Sequence, residues 1–78
     1  AEQSVLGAIL AQSDCLNRIV ELLPSAKSFY RPAHQIIYQA ILKLYEKNEA
    51  IDPITVSDEL HNLDKLEEIG GRYYLGLL

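Results

Sequence analysis

The chain has 78 residues with a single cysteine and no methionine, and its 11 acidic and 7 basic side chains give a formal net charge of −4. This length predicts one domain, near the lower limit for a core without disulfides or metals. The single Cys15 excludes an internal disulfide framework and a thiolate-rich zinc site, and it fits a reducing, intracellular setting. No apolar run approaches the roughly 20 residues of a membrane span, and no secretory signal is visible.

Acidic side chains are concentrated in residues 49–71, which hold seven carboxylates and one lysine, a net charge of −6. Such a segment must face water or a basic partner, and it would repel phosphates. The missing methionine and the apolar ending Tyr73-Tyr74-Leu75-Gly76-Leu77-Leu78 predict that the chain is a domain of a longer protein.

Two short helices are predicted in the first third of the chain. The first covers residues 2–12, with Val5, Leu6, Ile9 and Leu10 on one side. Gly7 within it costs roughly 1 kcal/mol relative to alanine, which predicts that another backbone passes close by. The second follows a cap at Ser13 or Asp14, buries Leu16, Ile19, Val20 and Leu23, and ends at Pro24 before a linker at 25–28.

The longest helix is predicted to begin at Pro32, since proline is tolerated in the first turn, and to end near Asn48, a good left-handed residue. Its buried stripe is Ala33, Ile36, Ile37, Ala40, Ile41, Leu44 and Tyr45. Tyr38 and Leu42 lie just outside this stripe, so the apolar arc is broad. A helix with such an arc packs from several directions.

A sharp start signal follows at Asp52-Pro53-Ile54-Thr55, with a carboxylate cap, proline at the first helical position and Thr55 placed to return a hydrogen bond. Val56, Leu60 and Leu63 are predicted to be buried. The segment from Asp64 to Glu67 is interpreted as a capping-box variant that begins one more turn, ended by Gly70-Gly71. Residues 72–78 resemble the first turns of a helix.

No strand or hairpin signal appears anywhere in the chain. The predicted fold is therefore all-α, a compact bundle of about five or six short helices around one longer central helix.

No catalytic site is predicted. His34 lies in the apolar arc of the central helix, which is typical of a structural histidine, and His61 is expected on the surface. Cys15 has no base nearby. The carboxylate pairs Asp58-Glu59 and Glu67-Glu68 diverge by ~100° on a helix, so they indicate solvated faces or one side of a salt-bridged interface. No phosphate-binding glycine loop is present, since no Lys-Ser or Lys-Thr follows Gly71.

A DNA-binding helix-turn-helix is the alternative. The motif's order of helix, turn and helix is matched by residues 55–60, a turn and residues 66–69. The second helix, however, would carry Glu67 and Glu68, with only Lys65 as a cation. Acidic side chains there oppose the counterion release that drives DNA binding.

Three segments resemble the N-terminal domain of the DnaB-type replicative helicases of bacteria and plastids. These are the opening AEQSVLGAIL, the central FYRPAHQIIY, and IDPITV through LEEIGGRYYL. They follow the family's order and spacing over nearly the whole chain. Arg72 departs from the pattern, since an apolar or small residue is commoner there.

The resemblance implies a single collar domain over residues 1–78, followed in the parent by a helical hairpin, a linker and a RecA-like ATPase. It implies a hexameric ring that unwinds DNA 5′ to 3′, with ATP and magnesium in the motor and DNA contacted only through the motor ring. This segment would be non-catalytic and without a cofactor. Its expected partners are further copies of the chain and the primase C-terminal domain, in the bacterial cytoplasm or plastid stroma.

Twelve residues are singled out, in three groups of four. Tyr73, Tyr74, Leu77 and Leu78 form an aromatic and apolar cluster of the kind that marks an interface. For Tyr74 and Leu75, burial against the domain's own core is at least as good an interpretation. The acidic residues Asp58, Glu59, Glu67 and Glu68 are secondary candidates for a basic partner. Pro32, His34, Asp52 and Pro53 are assigned structural roles.

Overall fold

The structure is a computed structural model that describes residues 2–12, 14, 16–22 and 29–78. Its helices are α1 (Glu2–Ala11), α2 (Leu16–Leu22), α3 (Pro32–Glu46), α4 (Pro53–Asn62) and α5 (Gly71–Leu77), with a 3-10 turn at Glu67–Ile69 between α4 and α5. No strand occurs within these ranges. The predicted all-α bundle around a longer central helix is confirmed. Several predictions concern residues outside these ranges: the cap at Ser13, the burial of Leu23, the stop at Pro24, the linker and Cys15.

The two predicted helix starts at Pro32 and Asp52 are confirmed. α3 has Pro32 at its first position, after Arg31 in an extended conformation. At the start of α4, the backbone N–H of Thr55 donates to Asp52 Oδ1 and the backbone N–H of Asp52 donates to Thr55 Oγ1, each at 2.9 Å. This reciprocal pair satisfies two amides that a helix start would otherwise leave unpaired.

Each of three turns ends on a left-handed residue: Asn48 (φ 60°) after α3, Asp64 (φ 61°) after α4, and Gly70 (φ 105°) after the 3-10 turn. In each case two backbone N–H groups reach back to the preceding turn, the arrangement that satisfies the last carbonyls of a helix. The prediction that Asp64 caps the next turn is wrong. Asp64 instead closes α4, and Leu66 begins the 3-10 turn without a side-chain cap.

The core is built on α3, which buries His34, Ile37, Tyr38, Ala40, Ile41 and Leu44. Tyr38, expected at the edge of the stripe, is fully buried, because Phe29 packs on it with ring centroids 4.9 Å apart. Tyr45, expected within the stripe, is 39 % exposed in the last turn of α3, where its hydroxyl donates to Asn17 Oδ1. Coverage by neighbouring segments, and not position on the helix alone, decides which tyrosine is buried.

The α4 helix packs on α3 through fully buried Val56 and Leu60. Leu63 is only partly buried, because it is the residue that ends α4 and lies beyond its last turn. Glu59, assigned from the sequence to a solvated face or to one side of a salt-bridged interface, is buried. Its Oε1 lies 3.1 Å from Lys47 Nζ. This ion pair joins the end of α3 to α4 and explains how a carboxylate is accommodated there.

The α1 helix passes under the end of α5. A Cβ built on Gly7 would lie 2.9 Å from the backbone carbonyl carbon of Leu78. Real Cβ atoms are almost never that close to backbone, so only glycine allows this approach without a shift. The close backbone predicted from Gly7 is confirmed.

Candidate interaction surface

The short α5 helix has two distinct sides. Tyr73 and Leu77 lie one turn apart on the outer side and are 78 % and 62 % exposed. Tyr74 and Leu78, each one position further along, are partly buried against the core, and Leu75 is buried. The four interface candidates therefore divide into an outward pair and an inward pair. We call Tyr73 and Leu77 the α5 face.

Tyr74 joins three helices through its hydroxyl. The oxygen lies 2.5 Å from Nε2 of His34 in α3, and Gln3 Nε2 of α1 donates to it at 3.5 Å. The His34 and Tyr74 rings also stack, with centroids 5.9 Å apart and planes 23° from parallel. His34 is 1 % exposed, and its ring lies nearly perpendicular to that of Phe29, with centroids 6.4 Å apart. The geometry is that of a packed polar link between helices.

A groove of about 230 Å³ separates α4 from α5. Ile54, which is 73 % exposed, lines it with Leu75 and Gly76. Arg72 and Asp58 stand on its opposite walls, with Arg72 Nη2 and Asp58 Oδ1 3.8 Å apart and both side chains about two-thirds exposed. A pair this exposed contributes little to stability, so both charges are available to a partner.

The acidic residues do not form one surface. Glu59 is buried against Lys47, Asp58 faces Arg72, and Glu68 Oε1 lies 3.4 Å from Lys65 Nζ. Glu67 is exposed in the 3-10 turn. Their charges are therefore met in large part within the chain, which weakens the case for a dedicated site for a basic partner.

The helix-turn-helix alternative lacks its recognition helix. Where that helix would begin, the chain makes only the three-residue turn Glu67–Ile69, which carries two carboxylates. A helix that enters a major groove must present several side chains to base edges, and one 3-10 turn cannot do this. The geometry does not favour DNA binding by this segment.

Across the described ranges no group of three or more histidine, cysteine, aspartate or glutamate side chains is placed to hold a metal ion. In that same part of the chain, no helix is long and apolar enough to cross a bilayer. His61 is exposed, as expected.

Two features were missed by sequence reasoning. Ile54 lies two positions before Val56, roughly opposite it on a helix of 3.6 residues per turn, so a helical wheel of α4 already places Ile54 outward. The contact between His34 and Tyr74 has no such signal, since 40 residues separate the two side chains. The two side chains meet because α5 packs on α4 and on the 3-10 turn, which places Tyr74 over His34.

The sequence model of the DnaB-like helicase N-terminal domain matches residues 1–78. The chain is 49 % identical over 78 residues to the replicative DNA helicase DnaB of Mycobacterium leprae, and 49 % identical over 75 residues to the replicative DNA helicase DnaC of Bacillus subtilis. These matches cover 100 % and 96 % of the chain but only 13 % and 16 % of the relatives.

The fold agrees with the sequence match. The crystal structure of the N-terminal domain of DnaB helicase from Mycobacterium tuberculosis superposes with a TM-score of 0.93 at 46 % identity, over 97 % of this chain and 52 % of that one. The fold is therefore that of an all-α helicase N-terminal domain. The chain belongs to the DnaB-like helicase N-terminal domain family.

Proposed function

We propose that this chain is the assembly domain of a hexameric replicative DNA helicase, in which it forms part of a collar above the motor ring. The observation that carries the proposal is the family match over the whole chain, joined to a fold that agrees at a TM-score of 0.93. The parent would unwind DNA 5′ to 3′ with ATP and magnesium bound in its RecA-like motor. This domain would supply contacts and no chemistry.

Self-association would use the α5 face. Tyr73 and Leu77 present a large aromatic ring and an aliphatic side chain to solvent on one side of a helix, and tyrosine is enriched at the energetic centres of interfaces. Arg72, which precedes Tyr73 in the chain, lies 3.8 Å from Asp58. Opposite charges at the edge of a patch suit a two-fold contact, because each copy can offer a cation to the anion of the other.

Docking of the primase C-terminal domain is the second contact we propose, in the cytoplasm of a bacterium. The bacterial origin of the similar helicases supports that setting. The groove between α4 and α5 has an apolar lining with one cation and one anion at its walls, which suits a protein partner better than a nucleic acid.

The assembly role is tested by sedimentation velocity over a wide concentration range. Tyr73→Ala should weaken self-association, because it removes the aromatic ring of the α5 face. The matched control is Tyr30→Ala, which removes a tyrosine that is 89 % exposed but precedes α3. If the unsubstituted chain associates at high concentration and Tyr73→Ala sediments in the same way, the α5 face is not part of the interface.

The primase contact is tested by calorimetric titration with the C-terminal domain of the cognate primase. A longer chain that adds the downstream hairpin is titrated beside this one. Binding by both would place a primase contact within these 78 residues, and Ile54→Ala should then weaken it. Binding by the longer chain alone would place recognition outside them.

A further inference from the structure

We infer that α5 is a hinged helix held on the bundle by a latch between Tyr74 and His34, and that this latch controls how the α5 face is presented. The inference rests on the proposed assembly function only for the role of the face. The latch itself depends on the geometry around α5, which can be tested in the isolated chain.

The hinge lies immediately before α5. Gly70 and Gly71 are consecutive residues with positive φ, at 105° and 74°. A Cβ on Gly71 would meet nothing within 4 Å, so the absence of a side chain there is explained by the backbone angle and not by crowding. Glycine visits left-handed and other conformations at low cost, so two in a row let a short helix change direction.

The start of α5 has little local support. It has no side-chain cap, and a second glycine, Gly76, lies within the helix. Glycine in a helix is destabilising relative to alanine, so the order of α5 depends on what it touches. Its buried apolar contribution is Leu75, supported by partly buried Leu78 above Gly7.

The polar link to α3 is the contact that release of α5 would break. Nε2 of His34 lies in the core and Tyr74 brings a hydroxyl to it from the other side of the hinge. If α5 swings away, Nε2 of His34 loses the Tyr74 hydroxyl. An intramolecular hydrogen bond makes a modest net contribution to stability, so the link favours the docked position.

The latch residue Tyr74 and the two residues of the α5 face are on the same short helix. Tyr73 points outward and Tyr74 inward, so a change in the docking of Tyr74 must also move Tyr73 and Leu77. The core of the bundle thereby sets the orientation of the surface proposed for assembly. Local release of such an element is the kind of low-energy opening that regulated contacts use.

Native-state amide hydrogen exchange at low protein concentration tests the latch. In the unsubstituted 78-residue chain, the amides of residues 75–77 should exchange by a local opening with little denaturant dependence. Those of residues 40–44 should exchange only by global unfolding. Tyr74→Phe should accelerate exchange at residues 75–77 about tenfold and keep the weak denaturant dependence, since a lost buried hydrogen bond changes an opening equilibrium by about that factor.

Tyr73→Phe is the matched control. It removes a hydroxyl from the neighbouring, exposed tyrosine and should leave exchange at residues 75–77 within about twofold of the parent. Gly71→Ala tests the hinge without touching any side chain. It strains the docked backbone at φ 74° and should also accelerate exchange at residues 75–77 severalfold.

Three outcomes would overturn the inference. These are unchanged exchange in Tyr74→Phe, equal acceleration in Tyr73→Phe, and exchange at residues 75–77 in the parent with the free energy and denaturant dependence of residues 40–44. Failure of the assembly proposal is a separate result, because it is measured by sedimentation of Tyr73→Ala. Normal sedimentation of that variant with accelerated exchange in Tyr74→Phe would reject the interface and keep the latch.

Discussion

The α4 and α5 helices differ in almost every feature that stabilises a helix, although they are neighbours of ten and seven residues. α4 begins with a complete capping box and proline, and it buries Val56 and Leu60 against α3. α5 begins after two left-handed glycines without a side-chain cap, and Leu75 is its one buried residue.

The difference separates the framework from the proposed contact surface. α4 is specified by its own sequence and by the core, so it holds the bundle together. α5 places a tyrosine and a leucine in solvent, and it has no side-chain cap of its own. Surfaces that bind partners are commonly drawn from the less stable parts of a fold, and α5 meets that description.

Replacing one leucine in each helix by alanine should give the largest difference in unfolding free energy. Leu60→Ala should cost about 2–5 kcal/mol of unfolding free energy, because Leu60 is fully buried between α4 and α3 and its loss leaves a cavity. Leu77→Ala should change stability by less than about 0.5 kcal/mol, since its side chain is largely exposed. Urea denaturation of dilute samples measures both. Similar costs for the two variants would contradict the division between framework and surface.

Two glycine substitutions should have opposite signs. Gly7→Ala should destabilise the domain by about 1–2 kcal/mol, because its Cβ meets the backbone of Leu78 and overpacking outweighs the gain in helix propensity. Gly76→Ala adds a Cβ with nothing within 4 Å and should stabilise α5 by up to about 1 kcal/mol. Thermal melts of the pair decide this; a stabilising Gly7→Ala would mean that α5 does not lie against α1.

Local chemistry made much of the framework predictable. The Asp52-Pro53-Ile54-Thr55 cap, the start of α3 at Pro32, the left-handed Asn48 and the close approach at Gly7 each depend on residues adjacent in sequence or on the properties of one residue. Propensity and capping rules act at that range, so they apply before any tertiary contact is known.

Contacts between distant segments were not predictable in the same way. The cover of Tyr38 by Phe29, the pairing of Glu59 with Lys47, and the link from Tyr74 to His34 depend on how helices pack. A helical wheel gives the direction of a side chain but not what lies above it, so it misassigned Tyr38 and Tyr45. For the candidate surface, the wheel separates Tyr73 and Leu77 from Tyr74 and Leu78, but packing decides which pair faces the core.

The cap of α4 offers a smaller and more local test of the comparison. Asp52→Ala should cost roughly 1 kcal/mol, because the backbone N–H of Thr55 loses its acceptor at the helix start. Asp52→Asn keeps an acceptor oxygen of the same shape and should remain close to the parent. Denaturation midpoints of the two variants give the answer, and equal losses for Ala and Asn would assign the effect to charge and not to capping.

The smallest effect we expect concerns the buried tyrosine of α3, and it emerges only in alkali. Burial raises the pKa of Tyr38 above its ordinary value of 10.0. The unfolded chain therefore loses this proton at a lower pH than the folded domain does. The contribution of the neutral Tyr38 is intact below pH 10 and declines as the pH rises from there towards the raised folded-state pKa.

Urea denaturation at a series of pH values from 8 to about 11 measures this loss of stability. Tyr38→Phe cannot ionise, so the fall in unfolding free energy above pH 10 should be shallower in that variant than in the parent, whatever the variant costs at pH 8. Tyr73→Phe removes an exposed hydroxyl of the α5 face and leaves the contribution of Tyr38 in place. If the unfolding free energy of Tyr38→Phe fell as steeply above pH 10 as that of the unsubstituted chain, ionisation of Tyr38 would not be the cause of the fall. The alkaline pH dependence would then not distinguish the buried framework from the exposed surface.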